Sequence, residues 1–397
     1  MDIPKDRIII VEKPTQFKTV VVPDQSANLG FEYHREYSIP YEKMIKKVES
    51  MKIQPHSNKI FLTRTKGKNT DVVILNVEYF EKFYAAQGCE VVEPENLSLA
   101  EQISLVHNSD YIASFFGTLT HWTIFCRSGT KFDMLMRCNT EARIMQCVLN
   151  DISKADWYFV DVSRDFLFDG HGFGVHLLGN TSYWQKYIRD HYKITEADDD
   201  EISSGLIYDY MSLYMRKHDR LPREHSYFRS FCNMYSQIKI LEGRLKYNRP
   251  FLCYEMHVSV QGTLPIAVEN DIAGNLYKDH SVEAVKIYFS EPIHDLFYAV
   301  CYENGEWTDE VKSPNFAGVI GKRKSICGIK IRLDDQGYKD FNIRYRIHNF
   351  KGSWSDWIEN GAEVKFEKSN VNAIQIELVK NIDSIFFFLE PSKQVEN

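Results

Sequence analysis

Four residues in one stretch have the types and spacing to hold a phosphate: Arg64 and Lys66, then Gly117 and Thr118. A glycine lets the backbone approach an anion, and a helix start behind it offers N–H groups and a partial positive charge. Thr118 adds a hydroxyl, and Leu119 continues the same turn. Arg64 has the geometry to grip a diphosphate through two parallel bonds. The same residues also suit a plain tight turn with a helix cap and a solvated loop charge. Neither GxGxxG nor GxxxxGK[ST] is present to decide between these readings.

Three more side chains are candidates for proton transfer or charge stabilisation. Glu101 follows Ser98 by three residues, a capping-box spacing, so its carboxylate either satisfies backbone donors or faces a ligand. His121 lies one turn beyond Gly117-Thr118, as a site imidazole or a satisfied core histidine. Asp161 follows the apolar run WYFV, where a carboxylate either reaches a site or caps a turn.

The elements that must position these residues alternate regularly. Ile60–Thr63 reads as a strand, Val77–Gln87 as a helix, Cys89–Val92 as a strand and Ser98–His107 as a helix. Tyr111–Phe115 follows as a strand, Leu119–Arg127 as a helix and Lys131–Met136 as a strand. That alternation predicts βαβ units on a parallel sheet, hence an α/β fold, with ligands beyond the carboxyl ends of the strands. Upstream, Arg7–Val11 and Phe17–Val22 read as β-rich runs and Tyr41–Met51 as a helix. Downstream, Leu206–Lys217 and Tyr227–Leu245 read as helices expected to pack back on the α/β part.

Composition narrows the classes. The chain has 397 residues, 44% hydrophobic and 26% charged, with a net charge of -7, which leaves no basic footprint for nucleic acid. No apolar run approaches transmembrane length, and MDIPKDRIIIVEKP lacks the apolar core and cleavage site of a signal peptide. The eight cysteines are scattered without CxxC pairs, as expected of buried reduced thiols in the cytoplasm. The run HGFGVH (His171–His176) fits no standard metal spacing, and the acidic run at 197–201 reads as a solvated linker.

The ordered set FLTRTK, ILN, EVVEPENLSLAEQI and DYIASFFGTLTHWTIF, continuing through LNDISKADWYFVDVSRDFL and YWQKYIRDHYKI, resembles the donor-binding half of glycosyltransferase family 61. The resemblance implies the C-terminal, Rossmann-like half of a GT-B enzyme. It also implies an inverting, metal-independent transferase that takes a nucleotide sugar, UDP-linked, to a glycan acceptor in capsular or cell-surface polysaccharide synthesis. No cofactor is implied beyond that substrate. The donor domain would span 59–195, with Arg64, Lys66, Gly117, Thr118 and Leu119 on the donor and Glu101 and His121 as catalytic candidates. Many relatives carry His-Gly where this chain has Phe116-Gly117. The resemblance would place an acceptor-binding domain before residue 59, and almost nothing there corresponds to it, so either the sequence is expected to be a fragment or truncated form, or a partner chain or second copy is expected to supply that half. Localisation would be cytoplasmic, or peripheral to the membrane.

The last third changes character, after a helical linker at 196–249. EAVKIYF (283–289), CGIKIRL (327–333) and NAIQIEL (372–378) end alike and recur at near-constant steps. A tyrosine-bearing strand precedes each: CYEMHVS, FYAVCYE and RYRIHNF. Such self-similarity predicts an all-β module over 250–390 whose three units bury their faces together. It resembles the clostridial hydrophobic-W repeat, although the first unit lacks the tryptophan. Trp307, Trp354 and Trp357 would then serve either glycan stacking or packing. This supports an alternative function: an inactive glycan- or protein-binding protein working through the β module. A dehydrogenase is disfavoured by the missing dinucleotide fingerprint.

Overall fold

A computed structural model describes residues 4–22, 25–28, 32–64, 72–138, 144–167, 174–195, 200, 202–217, 225–277 and 280–381. The chain forms two compact units, residues 1–200 and 201–397.

The first unit is built on five parallel strands: β1 (Lys59–Leu62), β2 (Glu90–Val92), β3 (Tyr111–Phe115), β4 (Lys131–Met136) and β5 (Asp156–Asp161). Their order is β2-β1-β3-β4-β5. The inner strands β1, β3 and β4 are buried on both faces because helices cover both, whereas the edge strands β2 and β5 are partly exposed. Side chains alternate across a strand, so Ile60, Leu62, Ile112, Phe132, Met134 and Met136 join one core, and Phe61, Ala113, Phe115 and Leu135 the other. The first core is closed by α1 (Ile39–Glu49), α3 (Leu99–Asn108) and α4 (Ile144–Ser153). The second is closed by α2 (Val77–Ala86) and α5 (Ser182–Tyr192), with Trp184 wedged edge-on against Phe80 and Phe83. Burying one such aromatic contributes about 1.5–3 kcal/mol.

Two expectations fail here. Arg7–Val11 and Phe17–Val22 form no strands, and Ile8 to Val11 and Val20 to Val22 are exposed. β propensity without a ladder partner does not make a strand. The segment after Gly117 is a 3-10 helix, Thr118–Phe125, rather than an α-helix over 119–127. Its backbone is tightened by Thr120 N–H on the Gly117 carbonyl, and its dipole is correspondingly short. A short parallel pair, Val73–Leu75 with Val175–Leu177, was not legible in the pattern.

The second unit begins with α6 (Ser204–Lys217) and α7 (His225–Lys246), which belong to this unit and pack on its strands. Gly205 comes so close to Gly274 that a methyl group would meet the Gly274 carbonyl at 2.4 Å. Six long strands follow as three antiparallel pairs: β6 (Leu252–Val258) with β7 (Val282–Phe289), β8 (Leu296–Tyr302) with β9 (Ile326–Leu333), and β10 (Phe341–Asn349) with β11 (Val371–Lys380). Each pair carries a register shift at the same place, after His257, Cys301 and His348.

Each sheet also takes a short strand from the next pair's loop: Ala317–Gly318 joins β7, Val364–Lys365 joins β9, and Ile272–Gly274 closes the circle on β11. Tyrosines lock the circle. The hydroxyls of Tyr254, Tyr298 and Tyr345 donate to the carbonyls of Asp271, Asn315 and Ala362. The same hydroxyls accept the N–H groups of Ile376, Ile287 and Ile331 from the preceding pair. Twenty-nine buried hydrophobic residues, led by these tyrosines and the strand isoleucines, make one continuous core.

Candidate functional site

The carboxyl edge of the parallel sheet is where the candidate residues converge. Leu62 lies opposite Ser114, and Phe115 opposite Leu135. Continuing that register, Arg64 comes level with Phe116, and Gly117 level with Arg137. The Phe116 N–H bonds the Leu135 carbonyl at 2.7 Å, so the ladder does run on. Neighbouring parallel strands are about 4.8 Å apart. Gly117 thus has Arg137 level with it on the β4 side, while Arg64 follows β1 one step short of it, level with Phe116.

Gly117 is the pivot of this edge. Its φ of 142° and ψ of -153° lie where only glycine is at ease. A Cβ there would stand 3.3 Å from both terminal nitrogens of Arg137, whose guanidinium therefore covers the bare Cα. Behind the turn, the Thr120 hydroxyl donates to the Gly117 carbonyl at 2.7 Å and is held by Gln146 Oε1 at 2.8 Å. Gln146 Nε2 in turn reaches the Thr120 carbonyl, Thr123 Oγ1 and Asn150 Oδ1. This buried amide network fixes the turn from below and leaves Thr118 exposed above it. A guanidinium set against bare glycine backbone at a helix start is the chemistry of an anion contact.

Arg64 is exposed at this edge, whereas Lys66 lies outside the described residues. Leu119 is buried in the first core, so only its backbone remains for a ligand. His121 is exposed, and the crowding around its ring lowers its pKa. Glu101 Oε2 accepts the Ser98 N–H at 2.7 Å, and the Ser98 hydroxyl accepts the Glu101 N–H at 3.3 Å. The capping box is therefore formed, and these bonds hold the Glu101 carboxyl below its ordinary pKa. Asp161 ends β5 and accepts the Ser163 N–H at 2.9 Å, a turn cap. Phe116 is buried against Phe159, at the position where an imidazole was noted in relatives. Arg137 escaped the sequence reading, yet it stands where such a residue should, one past an apolar strand of a parallel sheet.

A cavity of about 730 Å³ opens at the opposite, amino edge, between Lys59, Lys131, Tyr158 and His191. Asp133 projects into it, and burial pushes its carboxyl pKa up. Its Oδ2 accepts hydrogen bonds from Tyr111 and Tyr187, and Tyr192 stands beside them. These hydroxyls occupy the carboxylate, so this cluster is a packed polar core at the edge away from the strands' carboxyl ends.

Of the residues singled out elsewhere, His171 lies outside the described residues, while His176 is buried with Nδ1 on Asp165 at 2.8 Å. In the acidic run only Asp200 is described, and its carboxylate caps the Asn180 N–H at 2.6 Å. Among the described residues no three His, Cys, Asp or Glu side chains are grouped to hold a metal ion, and no helix is long and apolar enough to cross a membrane. The cysteines are free and all buried except Cys147, which is exposed despite its apolar surroundings in sequence. In the second unit Trp354 and Trp357 sandwich the Arg346 guanidinium at 4.4 and 4.8 Å from their ring centres, and Lys330 lies 5.2 Å from that of Trp307. Cations thus already occupy a face of each indole.

Residues 1–132, about a third of the chain, match the family model described as Glycosyltransferase 61. The matched stretch includes Arg64, Glu101, Gly117-Thr118 and His121 and ends inside β4. No curated protein matches the chain.

Proposed function

We propose that the first unit is the donor-binding part of a glycosyltransferase, with the diphosphate of a nucleotide sugar seated on Gly117 between Arg64 and Arg137. The observation that carries this reading is the bare Gly117 backbone under the Arg137 guanidinium at the carboxyl end of β3, with Gly117 and Arg64 inside a stretch that matches a glycosyltransferase family. Two guanidinium groups and the N–H groups at the 3-10 start would stabilise the charge growing on the departing nucleotide as the glycosidic bond breaks. An acceptor hydroxyl would attack the anomeric carbon from the opposite face, with inversion, and lose its proton to a general base. His121, whose lowered pKa keeps the imidazole neutral at physiological pH, suits that role better than Glu101, which is held in a cap. The donor is a UDP sugar and the acceptor a cell-surface glycan in this reading.

A second reading is favoured by Phe116 and by the capped Glu101: a protein that retains the fold but binds glycans through its second unit. Thermal shift against UDP, GDP, CMP and dTDP sugars, with and without EDTA, separates the two. A nucleotide-specific rise that survives EDTA and disappears in Arg137→Ala supports the transferase. No rise with any of the four moves the function to the second unit.

A further inference from the structure

The three strand pairs of the second unit are equivalent position by position, and one position breaks the equivalence. Three residues after Tyr254, Tyr298 and Tyr345 come His257, Cys301 and His348, and these pair across the hairpin with Thr263, Trp307 and Trp354. Gly262, Gly305 and Gly352 turn the chain just before, with φ of 84°, 83° and 80°. In the second and third pairs, then, an indole lies over the sheet, against Lys330 in one and Arg346 in the other. The counterparts of those cations in the first pair are Lys286 and Glu255, joined at 2.5 Å and only 24% and 14% exposed. Thr263 covers neither.

A cavity of about 750 Å³ lies where the indole is missing. Its floor is Thr263, Glu255 and Lys286; α6 and α7 wall it with Tyr208, Phe228 and Asn233. The Tyr208 and Phe228 rings meet edge to face at 4.8 Å. Gln261 also lines it, with Nε2 donating to Asp209 at 3.2 Å while its buried Oε1 has no hydrogen-bond partner among the described residues. A buried acceptor without a donor costs about 1–3 kcal/mol, so a donor is the group this wall calls for.

We propose that this cavity is a saccharide site, in which a pyranose ring occupies the space the other two pairs give to tryptophan. A pyranose has an apolar C–H face for the aromatic wall. Its edge hydroxyls both donate and accept, as Gln261 Oε1, Glu255, Lys286 and Asn233 require. The adjacent Lys286 and Glu255 cancel in charge, and Arg229 in the lining adds a further donor for a sugar hydroxyl. The site lies wholly within the second unit and does not rest on the transferase reading.

The test is saturation-transfer NMR on the full chain with glucose, galactose, N-acetylglucosamine and rhamnose as probes. At least one should receive saturation. Thr263→Trp, which installs the indole of the other pairs, should abolish the signal without lowering the melting temperature. Asn233→Ala, at an exposed wall position, should weaken binding about tenfold, the loss of roughly one hydrogen bond. Arg64→Ala should leave the signal intact. Silence from all four sugars, full binding by Thr263→Trp, or unchanged binding by Asn233→Ala overturns the proposal. A signal lost only in Arg64→Ala would place the sugar at the sheet edge instead, and would also overturn it. Should Thr263→Trp not fold, the Asn233→Ala and Arg64→Ala results decide alone.

Discussion

The two edges of the parallel sheet carry opposite chemistry on the same strands. At the carboxyl edge the half-buried Gly117 backbone lies under the Arg137 guanidinium. At the amino edge Asp133 sits inside a cage of tyrosine hydroxyls, its charge suppressed by burial. The amino edge has a cavity of about 730 Å³, where the Asp133 carboxylate is already taken up by tyrosine hydroxyls. At the carboxyl edge a buried amide network fixes the Gly117 turn from beneath, and a rigid base of that kind, not volume alone, is what a binding site needs.

The contrast can be broken by experiment. The largest effect is expected from the arginines. Arg64→Ala and Arg137→Ala should each weaken nucleotide-sugar binding by roughly 10- to 100-fold, the worth of about 1.5–3 kcal/mol for hydrogen bonds to a charged group. Calorimetry checks this, and unchanged affinity in both would remove the anion contact. Gly117→Ala comes next. It forces a side chain into a left-handed backbone and against the Arg137 guanidinium, so it should cost about 1–3 kcal/mol of stability and displace that arginine. Wild-type melting together with wild-type affinity would show that the turn is not the pivot described here.

The amino edge predicts a pH effect. Folding raises the Asp133 pKa through burial, so the folded state prefers the neutral acid. Its contribution is complete below the ordinary carboxyl pKa of about 3.9 and is lost as pH climbs through the raised value. Asp133→Asn should therefore flatten the decline in stability on the alkaline side of that window, in denaturation curves collected across pH. Identical slopes in the two proteins would show that Asp133 stays ionised in the fold. The smallest effect belongs to Glu101. Glu101→Gln keeps an acceptor for the Ser98 N–H, so melting should hardly move, whereas Ser98→Ala should cost about 1 kcal/mol. If Glu101→Gln nonetheless abolishes transfer, the carboxylate has a chemical role beyond its cap.

Much of this was legible in the residues. The alternation of apolar strands and amphipathic helices over 59–137 maps onto β1 to β4 and their helices within a residue or two. The tyrosine strands and their recurrence map onto β6 to β11. The Ser98 and Glu101 spacing formed its capping box, because that motif is closed by neighbours in the chain. Arg137 was missed since nothing local marks it. Its importance comes from the register that sets β4 beside β3. The Ile8–Val11 run erred the other way, because a ladder needs a partner that local propensity does not supply.

Residue order by itself determined the periodicities, caps and turns, since each is closed by contacts within a few residues. Tertiary structure alone decided that Arg137 lies against the bare Gly117, and that a threonine at one of three equivalent hairpins leaves room where the others hold an indole. Both depend on strand register and on helices arriving from distant sequence, and a linear pattern encodes those contacts only through the packing of the whole unit.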